Sequence, residues 1–231
     1  MKKILVSGGS GRFATELKKI KTNLNFLYLN KKQFNILNFN SIVKTIKKYK
    51  PECILHLAGL SRPMNSHDKN MSKSIDLNII GTANLVKACS KFKIKIVYFS
   101  TSYLYPGKKG NYTETDSLLP WNKYGWSKLG GEAAVQMYEN SLILRVCMTE
   151  KPFVHKSAYA NVKSNFIYQE DLARKLLKVI NKKGVYNIGG KSQSIYEFAK
   201  KYNKKIKKKF SRGEFPLKQN MSLNKFNKII K

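Results

Sequence analysis

Thr101, Tyr124 and Lys128 are the residues of this chain whose types and spacing invite chemistry. Tyr124 and Lys128 stand four apart in Tyr124-Gly125-Trp126-Ser127-Lys128. Four residues make about one helical turn, so a helix projects phenol and ammonium from one face. A cation beside a phenol favours the phenolate, and a free tyrosine titrates near pH ~10. A phenol lowered towards neutrality exchanges a proton with a carbonyl or alcohol oxygen. Thr101 can hydrogen-bond that same oxygen. Together these groups suit the reduction of a ketone or the oxidation of an alcohol, given a hydride carrier. In a chain with 13 tyrosines and 45 Lys and Arg residues the spacing also arises by chance. A surface helix with a solvated lysine is the plain alternative.

The elements that would hold these groups are legible on either side. Ile94 to Phe99 is a short β-branched run and reads as a buried strand ending at Thr101. The stretch after Pro120 reads as a helix to about Tyr138. At the start of the chain, Lys3 to Ser7 is an apolar strand, followed by Gly8-Gly9-Ser10-Gly11-Arg12-Phe13-Ala14 and a helical pattern through Leu17 and Ile20. Strand, glycine turn and helix form the setting of a phosphate-binding loop. Gly8 permits the turn, Gly11 lets the backbone approach a pyrophosphate, and Ala14 stands where a third glycine often packs helix on strand. An ordinary strand-to-helix turn is the alternative.

Phe26 to Leu29 is the second strand and runs into Asn30-Lys31-Lys32. An acid usually stands here when a dinucleotide fold selects NAD. This chain has none between Glu16 and Glu52, and Arg12, Lys31 and Lys32 are placed to meet a 2′-phosphate. NADP(H) is therefore the expected cofactor, with NAD(H) the alternative. Ser41 is expected to cap a helix ending at Tyr49, and Cys53 to Leu57 is a third strand opening into Ala58-Gly59-Leu60-Ser61-Arg62-Pro63. A long helix follows from about Ser72 to Phe92, and Ser141 to Arg145 is a fifth strand. Strands alternating with helices predict an α/β fold with a Rossmann-like, doubly wound parallel sheet. Ligands of such sheets sit at the carboxyl ends of the strands. Residues 1–146 are expected to form an NAD(P)-binding domain and 147–231 a small substrate-binding cap whose strand and helices pack partly on that core, with helices at Gln169 to Ile180 and from Ser194 to about Tyr202 and a strand with a turn over Gly184 to Gly190.

The bulk composition limits the alternatives. At 231 residues and 42% hydrophobic, the chain can bury a real core. It has no apolar run long enough to span a membrane, and its N-terminal apolar run is too short for a signal peptide, so a cytoplasmic location is expected. The net charge of +32 invites a nucleic-acid reading. The excess is spread along the chain as lysine, with arginine only at positions 12, 62, 145, 174 and 212. Base-edge readers favour arginine, so no specific nucleic-acid partner is expected. Cys53, Cys89 and Cys147 read as buried thiols, and the three histidines suggest no metal site.

Taken together, these segments resemble the extended short-chain dehydrogenase/reductases, in particular the dTDP-4-dehydrorhamnose reductase branch. GGSGRFA resembles the cofactor loop, HLAG the segment beside the nicotinamide, and Asn78-x-x-Gly81-Thr82 the family helix. Thr101 to Gly107, then Glu114 and Asp116, then YGWSKLGGE resemble the catalytic strand and helix. EDLA, GVYNIGG and FPLKQNMSLNKF resemble parts of the substrate domain. The resemblance implies that Thr101, Tyr124 and Lys128 are catalytic, with Tyr124 as proton donor. It implies a cofactor lying along Gly8, Ser10, Gly11, Arg12, Phe13, Asn30, Lys31, Leu57, Ala58, Gly59 and Asn78, and touching Tyr124 and Lys128. Ser61, Arg62, Ser102 and Tyr103 are expected on the substrate side, and the implied substrate is a nucleoside-diphosphate sugar. A homodimer is compatible with this reading. Ser102 departs from the aspartate usual in the branch, and the region after Arg145 is shorter than usual. The implied reaction is reduction of a 4-keto sugar nucleotide in surface-polysaccharide synthesis. The alternatives are 4-epimerisation and a catalytically silent, cofactor-binding regulatory subunit.

Overall fold

The computed structural model describes residues 2–230. Six parallel strands form the central sheet: β1 Lys3–Ser7, β2 Asn25–Leu29, β3 Cys53–His56, β4 Lys95–Thr101, β5 Ser141–Val146 and β6 Gly184–Ile188. Their spatial order is β6-β5-β4-β3-β1-β2. The Rossmann-like sheet expected from the alternation of elements is present. The chain winds outward from β1 in one direction to β2 and in the other through β3 to β6. The reversal falls between β1 and β3, where such sheets open a crevice.

The strands are continuous apolar runs because both faces are covered. Successive side chains of a strand face opposite sides, and two cores result. Ile4, Val6, Leu55, Val97, Phe99, Leu142 and Leu144 face one side. There they meet α1 (Arg12–Lys18) through Phe13 and Leu17, and Leu172 and Leu176 of the helix Gln169–Val179. Leu5, Ile54, Ile96, Tyr98 and Ile143 face the other side, against α2 (Phe39–Tyr49), α3 (Gly81–Lys91) and α4 (Lys123–Gln136).

The boundaries differ from the sequence reading in a few places. Asn38, not Ser41, caps α2, its side chain accepting from the Ser41 N–H. β3 stops at His56, so Leu57 already belongs to the loop. The long helix is interrupted by a π-helical turn, Asp76–Ile80, which feeds directly into α3. β6, from the region after residue 147, pairs in parallel with β5, Gly184 against Leu142 and Ile188 against Val146. Glu114 secures β6, accepting from the Asn187 N–H at 2.9 Å. No helix among the described residues is long and apolar enough to cross a membrane.

Candidate active site

The β1–α1 turn comes first because it shapes the crevice. Gly8 has φ +71, and a Cβ there would lie 2.7 Å from the Ala58 nitrogen. Only glycine allows both the left-handed backbone and this approach of the β3 loop. Gly11 N–H donates back to the Gly8 carbonyl at 2.9 Å, so the turn is closed on itself before α1 begins. Ser7, His56 and Thr82 lock the floor. The Ser7 hydroxyl and His56 Nδ1 are 2.8 Å apart, and His56 Nε2 and Thr82 Oγ1 are 3.0 Å apart. Thr82 donates to the Asn78 carbonyl, so it accepts from His56 Nε2–H, and Ser7 donates to Nδ1. Burial, and then the charge of Lys128, push the His56 imidazole down to about 3, so it is neutral in the folded protein.

Asn78 joins the loop after β3 to the helix that carries Tyr124. Its Oδ1 accepts from the Leu60 N–H at 2.7 Å. Its Nδ2 donates to the Leu60 carbonyl and to Ser127 Oγ, each at 2.9 Å. Ser127 donates in turn to the Tyr124 carbonyl. The Asn78 amide is thus committed to positioning protein groups.

Thr101, Tyr124 and Lys128 come together on one wall of a cavity of about 810 Å³ at the carboxyl edge of the sheet. α4 starts at Asn122, whose side chain caps it through the Gly125 N–H at 2.7 Å. The electrostatics differ from the expectation of a cation lowering the phenol. Burial pushes Tyr124 up to about 12, against weaker lowering by Thr101, Arg62 and Arg12. Lys128 is itself pushed down to about 7 by burial, against the opposing charge of Glu132. Its Nζ lies 4.0 Å from the centre of the Tyr98 ring. Desolvation acts on both groups and outweighs the attraction that helical spacing suggested. Near neutrality the phenol keeps its proton, and the amine is poised to gain or lose one.

Of the other expected site residues, Arg12, Phe13, Leu57, Ala58, Gly59, Ser61, Arg62, Asn78, Ser102 and Tyr103 line this cavity. Gly8, Ser10, Gly11, Asn30 and Lys31 are not part of its lining. Asn30 caps the turn after β2, its Oδ1 accepting from the Lys32 and Gln33 N–H groups, and Lys31 is exposed beside it. Arg12, expected with Lys31 and Lys32 to meet a 2′-phosphate, is paired with Glu150 and Ser61. Its Nη1 lies 3.0 Å from Glu150 Oε1, and its Nη2 donates to Ser61 at 3.2 Å. Arg62 Nη1 meets the other Glu150 oxygen at 2.7 Å. Burial would raise the Glu150 carboxyl, but its own N–H and the two guanidiniums hold it below the usual range.

Glu150, Phe153, Val154 and His155 had no role in the sequence reading. The last three line the cavity from the segment after β5. One signal was available: Glu150 is the sole acid between Glu139 and Glu170 of this basic chain.

The left-handed Gly8 turn, packed against the Ala58 backbone, and the cavity at the reversal of strand order fit a dinucleotide laid along the sheet edge. Comparisons with known proteins agree with this geometry. Residues 1–166 match the family model described as the RmlD substrate binding domain. Methionine adenosyltransferase 2 subunit beta of Pongo abelii is 32% identical over 117 residues, 49% of this chain and 34% of that protein. dTDP-4-dehydrorhamnose reductase of Salmonella typhimurium is 29% identical over 139 residues, 58% of this chain and 46% of that protein. The matched part thus spans about a third to under half of the length of these curated relatives. The crystal structure of dTDP-4-dehydrorhamnose reductase from Bacillus anthracis in complex with NADP superposes with a TM-score of 0.87 at 23% identity, covering 98% of this chain and 91% of that one. That likeness concerns the fold. The family match over residues 1–166 takes in the glycine turn and the Tyr124 helix, and by it this chain belongs to the RmlD substrate binding domain family.

Proposed function

We propose that this protein reduces the 4-keto group of a nucleoside-diphosphate sugar with a nicotinamide cofactor, NADP(H) in preference to NAD(H), in surface-polysaccharide synthesis. The observation that carries the reading is the meeting of Thr101, Tyr124 and Lys128 in one cavity with the loop that Gly8 folds against. Residues 1–146 would supply the cofactor half and 147–231 the substrate side. The glycine turn and Ala58-Gly59 would hold the dinucleotide, and Lys31, on a chain without an acid at that edge, would meet a 2′-phosphate. A bound nicotinamide supplies the hydride that the carbonyl carbon takes up.

This chain's own residues supply the proton. Tyr124, at about 12, is protonated at neutral pH and donates to the carbonyl oxygen as negative charge develops there. Thr101 orients that oxygen. Lys128, at about 7, can return a proton to the Tyr124 phenolate. Ser102, Tyr103, Ser61 and Arg62 face the sugar nucleotide from the cavity wall.

The test is titration with NADPH and NADH followed by assay on 4-keto sugar nucleotides. Tyr124→Phe should lower turnover by on the order of 10²–10⁴-fold with cofactor binding retained. Undiminished turnover in that variant overturns the mechanism. Interconversion of sugar epimers without net cofactor oxidation would indicate the 4-epimerase alternative.

A second reading is a cofactor-binding subunit of another enzyme. The relatives whose name includes "subunit beta" favour it. Cofactor binding without turnover on a broad sugar-nucleotide panel, together with co-purification of a partner enzyme, would establish it.

A further inference from the structure

Three loops from separate places in the chain meet at the cavity mouth on one carboxylate. Arg12 comes from the start of α1, Arg62 from the loop after β3, and Glu150 from the segment after β5. Glu150 spans both guanidiniums, Oε1 to Arg12 at 3.0 Å and Oε2 to Arg62 at 2.7 Å. Its side chain is 22% exposed, and those of Arg12 and Arg62 are 50% and 29% exposed. Neither guanidinium is used up. Arg62 makes one hydrogen bond, to Glu150, while a guanidinium carries five N–H donors. Both arginines line the cavity, as do Thr149, Phe153, Val154 and His155 on either side of Glu150.

We infer that Glu150 is an internal counter-ion that a phosphate-bearing ligand displaces from Arg12 and Arg62, and that it ties the substrate-side segment 148–155 to the cofactor side until that ligand arrives. The inference rests on the cavity taking a phosphate-bearing ligand, as in the proposed function. Charge supports it. The two arginines and the glutamate sum to one positive charge, which is too little for a diphosphate while Glu150 stays in place. A phosphate also matches the guanidinium fork at least as well as a carboxylate does. Displacement frees two of the contacts that hold the segment carrying Phe153, Val154 and His155, while Met148–Thr149 stays paired with Ile167–Tyr168 and Lys151 with Glu170. Ligand charge is thereby linked to the shape of the sugar side of the cavity. Glu150 is a positioning and selectivity residue that takes no part in proton transfer.

The experiment uses the full chain with Glu150→Gln and Glu150→Asp, each checked for folding by thermal denaturation. Probes are NADPH, inorganic pyrophosphate and, as an uncharged control, adenosine. Glu150→Gln should bind NADPH and pyrophosphate on the order of tenfold more tightly at low salt, with adenosine affinity unchanged. Glu150→Asp keeps the charge and should stay close to the parent. In the parent, backbone hydrogen exchange across 150–155, beyond the paired strand Met148–Thr149, should rise when NADPH is added. In Glu150→Gln it should be high from the outset.

Equal or weaker anion binding by Glu150→Gln overturns the inference, because Glu150 would then organise the arginines permanently. Identical behaviour of the Gln and Asp variants overturns it as well. If the parent binds no NADPH, the proposed function fails, and the pyrophosphate titrations still decide the role of Glu150.

Discussion

The carbonyl oxygen of Asn78 occupies the space that a Cβ on Gly131 would need. The Tyr98 hydroxyl lies 2.6 Å from the same point. The π turn carrying Asn78 is therefore in direct backbone contact with α4, the helix that presents Tyr124 and Lys128. That packing sets where the two side chains enter the cavity, and it requires the absence of a side chain at 131.

Gly131→Ala should push α4 off the π turn. Overpacking of this kind costs ~1–3 kcal/mol. A displacement of about 1 Å at the site costs ~10²-fold in rate. Urea denaturation should show the loss of stability, and any turnover measured for the parent should fall further than stability alone explains. A variant as stable and as active as the parent would show that α4 is not positioned by this contact.

Arg145 and Glu132 form the buried ion pair beneath α4, Nη2 to Oε1 at 2.7 Å, with side chains 3% and 0% exposed. Arg145 also donates to the Tyr105 hydroxyl and the Glu114 carbonyl. Arg145→Met leaves the Glu132 carboxylate buried without its partner and should cost ~3–5 kcal/mol. Adding Glu132→Gln should recover part of that loss, because the stranded charge disappears. Chemical denaturation of the single and double variants checks both steps.

Lys128 should impose a pH dependence on stability. Its folded value is about 7, and an unfolded lysine titrates near ~10.4. Between these values the unfolded chain binds a proton that the folded chain does not. The contribution of Lys128 to stability should therefore rise as pH increases from about 7 towards ~10, by ~1.4 kcal/mol per unit at most. Below about 7 both states hold the proton and the full penalty applies. Lys95, lowered to about 8 by burial, acts in the same direction, so the diagnostic is the difference from Lys128→Met. Cys53, Cys89 and Cys147, all raised by burial, oppose the trend above ~8.5, and Tyr124, raised to about 12, opposes it above ~10. The unfolding free energy of the parent minus that of Lys128→Met should increase across this range, and a constant difference would show that Lys128 is not desolvated.

The sequence by itself determined the sheet and the meeting of Thr101, Tyr124 and Lys128. Short apolar runs, a glycine turn at residue 8 and a four-residue spacing are local features. Burial on both faces and helical periodicity turn them into fixed positions, and they were readable before any contact was known. Tertiary structure decided what those groups experience. Spacing alone suggested that Lys128 acidifies Tyr124, but the walls closing around both make desolvation the larger effect, raising the phenol and lowering the amine. It likewise decided that Arg12 is paired with Glu150 and Ser61, and that Asn78 clamps Leu60 and Ser127. Solvent exclusion and ion pairing depend on groups brought together from distant parts of the chain, and no local pattern of residues encodes them.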